Sequence, residues 1–364
     1  MLAKANRTGD EASAATVGEH RADFYERAKL AALAPLWSVL KGLVPKQPES
    51  MAKPAIWHYG EVRPYLLEAC DLIGTEEAER RVLMLENPAI STGARITGSL
   101  YAGLQVIKPG ETAPCHRHAA SALRFIIEGA GGWTAVNGER TFMSPGDFVV
   151  TPAWQWHEHG NDGDGPVVWL DCLDIHIVNL LDCGFREDTA ECPALLSRPP
   201  GASMFETGMN MLPMDVDRSR VTSPIFNYPY VKAREALGSI RRFRPIDPYV
   251  GFKLRYTNPL NGDWAIATIA TWMQLLPQGF STEGLRSTDG TVYVIVEGDG
   301  HSLIGDIRVD WTKGDVFAVP SWTMTTHHAS TEAVLFGASD RATQEKLGLW
   351  REQRPSNTRS ATES

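Results

Sequence analysis

The chain has 364 residues, 43% hydrophobic and 22% charged, with a formal net charge of −9. That length suits two domains better than one, and the composition is that of an ordinary globular protein. The acidic balance argues against nucleic acid, which rewards a basic face, and no window reaches the roughly eighteen uninterrupted apolar residues of a membrane span.

The opening stretch MLAKANRTGDEASAA lacks the apolar core of a secretory signal, and residues 1 to about 20, small and polar, read as disordered. From Ala22 to Val44 the period changes. Phe24, Leu30, Leu33, Trp37 and Leu40 recur at three- and four-residue steps, the mark of an amphipathic helix, with a break at Pro35. The stretch PKQPESMAKPAIW reads as an extended arm, and RPYLLEACDLI as a second helix. From about Glu79 short apolar runs alternate with Gly, Pro, Asn and Asp, the spacing of a β sandwich or barrel. The pattern loosens between about Leu181 and Pro248. It resumes near Trp264 and runs to about Ala338, and the tail REQRPSNTRSATES reads as mobile. The expected organisation is therefore mainly β: an N-terminal helical arm (1–75), a first barrel (76–180), a connecting segment (181–250), a second barrel (251–345) and a tail (346–364). Five cysteines without a CxxC pair fit a reduced, cytoplasmic protein.

The two β regions repeat each other. Glu128-Gly129 matches Glu297-Gly298, Gly146-Asp147 matches Gly314-Asp315, and Pro152-Ala153-Trp154 matches Pro320-Ser321-Trp322, at an offset of 168 or 169 residues. One β unit has been duplicated.

Within the first copy, the stretch APCHRHAASALRF holds His116 and His118. On a strand, residues two apart face the same side, so both imidazoles enter the barrel while Cys115 and Arg117 point away. His157, in GDFVVTPAWQWHEHGN, can close a facial triangle. Three neutral imidazoles with open positions suit Fe(II), Mn(II), Zn(II) or Cu(II). Arg124 lies six residues beyond His118, an even step, and so faces inward as well.

These stretches resemble the two motifs of the cupin superfamily, Gly-x5-His-x-His and Gly-x5-Pro-x-Gly-x2-His-x3-Asn. Gly110, His116, His118, Gly146, Pro152, His157 and Asn161 fill them. Trp154 replaces the last glycine, and the glutamate expected near Ala122 is missing, which implies a site of three histidines. A duplicated cupin with HRHAASALRFIIEG, TPAWQWHEHGN and RRVLMLENP is similar to the gentisate 1,2-dioxygenase family, which also includes salicylate and 1-hydroxy-2-naphthoate dioxygenases. The resemblance implies a bicupin of two jelly-roll barrels and one Fe(II) per chain on His116, His118 and His157. It implies a small aromatic acid and O2 as substrates, ring opening of gentisate to maleylpyruvate between the carboxyl- and hydroxyl-bearing carbons, and a homo-oligomer, a tetramer.

For individual residues the resemblance implies Arg124 at the substrate carboxylate, where its planar fork suits two oxygens. Arg80, rather than its neighbour Arg81, matches a second arginine near the substrate. His159, two residues past His157, reads as an acid or base at the ring hydroxyl. Asp171 matches a carboxylate near the site, and Gln105 and Tyr101 line the pocket. In the second copy the ligand positions correspond to Leu285, Ser287 and Thr325, leaving His327 and His328 without partners, so that barrel is expected to be metal-free and structural. Two readings compete: a related dioxygenase acting on salicylate or 1-hydroxy-2-naphthoate, and a non-catalytic ligand-binding bicupin.

Overall fold

A computed structural model describes residues 7–189 and 196–355. The residues up to Glu49 form one compact unit and Ser50 onward a second. The first unit holds two helices, Arg7–Leu30 and Leu36–Leu43, separated by the break at Pro35. Helix begins at Arg7, well inside the stretch read as disordered. The alanines at 12, 14 and 15 are the strongest helix formers and offset the polarity around them. Leu30, Leu33, Leu36, Trp37, Leu40 and Leu43 are all exposed. No helix among the described residues is long and apolar enough to cross a membrane.

The second unit is two antiparallel β barrels. In the first, Asn227–Tyr228, Phe148–Thr151, Ala122–Glu128, Val167–Leu173, Tyr101–Ile107 and Arg81–Met84 form one sheet in that order. Arg186–Asp188, Thr112–His118, His157–Asn161, Gly132–Val136 and Glu139–Phe142 form the other. The second barrel repeats the six-stranded sheet as Ala55–Trp57, Val316–Val319, Thr291–Glu297, Ala333–Ser339, Ala270–Leu276 and Phe252–Arg255, opposite a three-stranded one.

Alternation along these strands gives each large sheet two different faces. Leu123, Phe125, Leu104, Val106, Val168 and Leu170 face the other barrel and form one shared core with Met273, Val294 and Phe336. Phe125 and Phe336 stack across it with centroids 4.1 Å apart. The intervening residues, Gln105, Arg124 and Asp171 among them, line the inside of the first barrel.

The barrels exchange arms. The strand Ala55–Trp57, which precedes the first barrel in the chain, pairs with Val316–Ala318 of the second. Asn227–Tyr228, which precedes the second, pairs with the first. A helix follows each strand, Tyr59–Leu72 and Tyr230–Phe243. Each helix starts on the Gly-Asp pair of its host barrel. Asp315 accepts the Tyr59 backbone N–H at 2.8 Å, and Asp147 accepts that of Tyr230 at 2.8 Å, a favourable place for a carboxylate. Gly314 and Gly146 are in the left-handed region, and a Cβ on either would meet the tyrosine ring of the docked helix. The same helices reach back to the other barrel: Tyr59 and Arg63 bind Glu128, and Tyr230 and Arg234 bind Glu297. The matched Glu-Gly and Gly-Asp pairs thus hold the two exchanged helices.

The connecting segment is more ordered than its sequence suggested, since Arg186–Asp188 and Asn227–Tyr228 extend the first barrel's sheets. Part of the tail is ordered too: Glu352–Gln353 pairs with Arg286–Ser287. Cys70, Cys172 and Cys183 are free thiols. Cys115 is disulfide-bonded, a departure from a fully reduced chain.

Candidate metal centre and substrate cavity

His116 and His157 sit opposite one another on paired strands, Thr112–His118 and His157–Asn161, and His118 follows two residues along the same face. Each ring points one nitrogen away from the centre. Nδ1 of His116 lies 3.0 Å from the Pro114 carbonyl, that of His118 2.7 Å from Ala120 O, and that of His157 2.8 Å from Gln155 O. A carbonyl only accepts, so each Nδ1 carries the proton and each Nε2 keeps a free lone pair. Nε2 of His116 and of His157 are buried without any partner. The three ligand atoms lie within 4.8 Å of one another, the one such group of three among the described residues. Burial lowers the pKa of His118 to about 4 and that of His116 to about 2, so both are neutral imidazoles at physiological pH. Orphaned, neutral, converging lone pairs are what a bound cation needs.

Arg117, between the two histidines, faces outward and packs over the rings of Trp154 and Trp156. Trp154 adopts φ +60°, the conformation for which the cupin motif usually has glycine. Its backbone N–H donates to the His118 carbonyl at 2.8 Å, so the substituted residue keeps both the turn and the clamp on the ligand strand.

Beside the histidines lies a cavity of about 320 Å³. Arg80, Tyr101, Gln105, Arg124 and Asp171 line it together with His116 and His118. Arg80 is half-buried and its Nε has no partner. Arg81 points away, into Glu111 and the carbonyls of Cys70 and Ile73. Two of the three Arg124 nitrogens are hydrogen-bonded. Nη1 donates to Thr151 Oγ1 at 2.5 Å, Nη2 lies 2.8 Å from Nε2 of His159, and Nε faces Asp171 at 3.4 Å. Burial lowers the Arg124 pKa only to about 10, so the charge stays. Burial raises the Asp171 carboxyl, with Arg124 opposing, and its Oδ1 makes no hydrogen bond. The Tyr101 phenol is pushed up by burial and stays neutral.

His159, expected at the substrate, lies behind Arg124. It is fully buried and does not line the cavity. Since a guanidinium only donates, Nε2 of His159 accepts from Arg124 and Nδ1 donates to Thr134 Oγ1 at 3.0 Å. Both nitrogens are occupied. Several wall residues escaped the sequence reading: Val82, Leu173, Phe185 and Arg186. Parity along Val167–Leu173 points Leu173 inward with Asp171, whereas Phe185 and Arg186 lie in the loosely patterned connecting segment and carried no signal.

In the second barrel Leu285 pairs with Thr325, as His116 pairs with His157. His327 is buried against Tyr293 and Phe317 and bonds Ser302 through Nδ1 at 2.8 Å. It is the counterpart of His159 with Thr134. His328 bonds Ser281 at 2.7 Å and lies beside His301.

Residues 103–175 match the family described as Cupin domain. Over 338 residues the chain is 49% identical to gentisate 1,2 dioxygenase 1 of Aquipseudomonas alcaligenes, across 93% of this chain and 97% of that one. It is 35% identical to 5-aminosalicylate 1,2-dioxygenase of Comamonas sp, across 88% of this chain and 87% of the relative. Among solved structures, salicylate 1,2-dioxygenase from Pseudoaminobacter salicylatoxidans, in an adduct with gentisate, superposes with a TM-score of 0.87 at 32% identity, covering 93% of this chain and 94% of that one.

Proposed function

Because the chain belongs to the gentisate 1,2-dioxygenase family, we propose that it cleaves the ring of gentisate with O2 to give maleylpyruvate, using one Fe(II) held by His116, His118 and His157. Family membership makes the chain an enzyme rather than a non-catalytic bicupin. The observation that carries the reading is the cavity itself: three converging imidazole lone pairs stand beside a space lined by three arginines and a carboxylate. A bound Fe(II) would supply the one-electron chemistry that lets triplet O2 meet a closed-shell, electron-rich ring.

The rest is done by side chains. An aromatic acid brings a carboxylate, and the cavity meets it with Arg80 and Arg124, the third arginine of the wall, Arg186, being paired with Glu79 and Asp188. Arg80 has donors to spare and takes the carboxylate directly. Arg124, expected from sequence to be the main reader, is held by Thr151, His159 and Asp171 and offers its remaining N–H groups and a fixed positive field. His159 orients that guanidinium. Asp171, whose raised pKa makes it a better base, accepts the proton of the ring hydroxyl. Gln105 and Tyr101 define the width of the slot for the ring. Cytoplasmic residence and assembly into homotetramers belong to the same proposal. The exposed apolar residues of the N-terminal unit support assembly, and a monomeric mass by light scattering at micromolar concentration would exclude it.

The deciding experiment is O2 uptake by the Fe(II)-loaded protein with gentisate, salicylate and 1-hydroxy-2-naphthoate in parallel. Gentisate should be consumed fastest, with one O2 per ring. Preference for salicylate or the naphthoate would move the chain to those relatives, and no uptake with any of the three would overturn the reading.

A further inference from the structure

The second barrel, which carries no histidine triad at the corresponding positions, contains a cavity of about 390 Å³, somewhat larger than the one beside the histidines. Its chemistry is unusual for a structural domain. Lys253 lies on its wall with the ammonium 3.8 Å from the centroid of the Trp272 ring, and it forms no ion pair among the described residues. Gln274, 1% exposed, faces Lys253 across paired strands and lines the same cavity, and its Oε1 has no hydrogen-bond partner. Tyr293 and Trp264 add aromatic walls.

Two acids also line the cavity, and both are occupied. Asp289 accepts from Trp350 Nε1 at 2.8 Å, and Glu352 is paired with Arg354. The register locates this wall against the first barrel. Lys253 pairs with Gln274 as Val82 pairs with Gln105, and Val82 and Gln105 both line the cavity beside the histidines. Duplication thus produced two cavities of similar size, and in the second a lysine stands at the position of an apolar wall residue.

A partly buried ammonium with no carboxylate at ion-pair distance among the described residues, flanked by rings, lacks an anion with a flat apolar body. We propose that the second-barrel cavity is a binding site for a small aromatic carboxylate. The carboxylate is held by Lys253 with Gln274 beside it, the ring lies against Trp272 and Tyr293, and no chemistry occurs there. Burial lowers the Lys253 pKa to about 8, as expected for a cation whose partner is absent.

Calorimetric titration of the metal-loaded enzyme with benzoate tests this. Lys253→Met should abolish one binding equivalent per chain or weaken it at least tenfold. Gln274→Glu, which sets a negative charge against the ligand, should do the same independently if the methionine variant folds poorly. Lys253→Arg, which keeps the charge, should retain the equivalent. Stoichiometry and affinity unchanged from wild type in both Lys253→Met and Gln274→Glu, with native circular dichroism, would overturn the proposal.

Discussion

Arg80 and Arg124 carry the same charge but differ in what they are free to do. Both Nη atoms of Arg124 are hydrogen-bonded and its Nε faces Asp171, whereas no side-chain hydrogen bond or ion pair holds Arg80 among the described residues. Leaving a desolvated carboxylate without its partner costs on the order of 2–5 kcal/mol, and each 1.4 kcal/mol is about tenfold. Arg80→Met should therefore lower kcat/KM for gentisate by about two orders of magnitude or more with metal content unchanged, read by steady-state O2 uptake beside elemental analysis. His116→Ala should do the reverse and lose the metal. Its Nε2 is an orphan in the folded chain, but its Nδ1 serves the Pro114 carbonyl, so removal leaves that acceptor unpaired and should cost the metal-free protein about 1–3 kcal/mol, read by thermal denaturation. The histidines were legible in sequence because parity on a strand and a short motif fix them. Parity gave the side His159 faces but not what stands in front of it, and here Arg124 does.

At the level of elements, the turn at Trp154 shows how a motif can change its residue and keep its geometry. A non-glycine residue in the left-handed region costs roughly 1–2 kcal/mol, and a ring stacked under a guanidinium returns about 0.5–2 kcal/mol. The duplicate turn solves the problem identically: Trp322 has φ +58° and lies under Arg286. Trp154→Ala loses the stack and keeps the strain, whereas Trp154→Gly loses the stack and relieves it. The glycine variant should melt higher than the alanine variant, the difference corresponding to about 1 kcal/mol by thermal denaturation. Most strands were visible in the sequence because they alternate between two chemically different faces. The helix Tyr230–Phe243 was not. The apolar positions it turns to the core are few, Ala233, Leu237 and Ile240, with only Leu237 fully buried, while Val231 and Phe243 are exposed among Lys232, Arg234, Arg241 and Arg242 and blur the period. It rests on two anchors from distant parts of the chain, Asp147 and Glu297, that no local window contains.

Across the whole molecule, the two barrels are tied by buried acids at equivalent places. Asp174, at the end of the first barrel, accepts from Ser121 N and from Thr268 ahead of the second. Asp340, at the end of the second, accepts from Gly290 N and from Ser99 ahead of the first. Burial raises each carboxyl to about 6. Unfolded, each would titrate near 3.9. Between those two values the folded chain binds more protons than the unfolded one, so stability falls as pH rises through the window, by about 2–3 kcal/mol per group, and levels off above it. Asp340→Asn removes one such contribution. Relative to wild type, the variant should gain stability as pH is raised from 4 to 6 and hold that gain at 7, measured by urea denaturation across pH. The exchanged arms carry a consequence of their own. A fragment ending near residue 200 would keep a complete catalytic barrel by sequence and yet be mispackaged. Its strand Ala55–Trp57 would have no sheet to join, and Phe148–Thr151 would show a raw edge where Asn227–Tyr228 belongs. The halves of this chain are therefore not modules that can be cut apart and reused. Each is the other's missing piece, and two separately made halves should regain activity only when mixed.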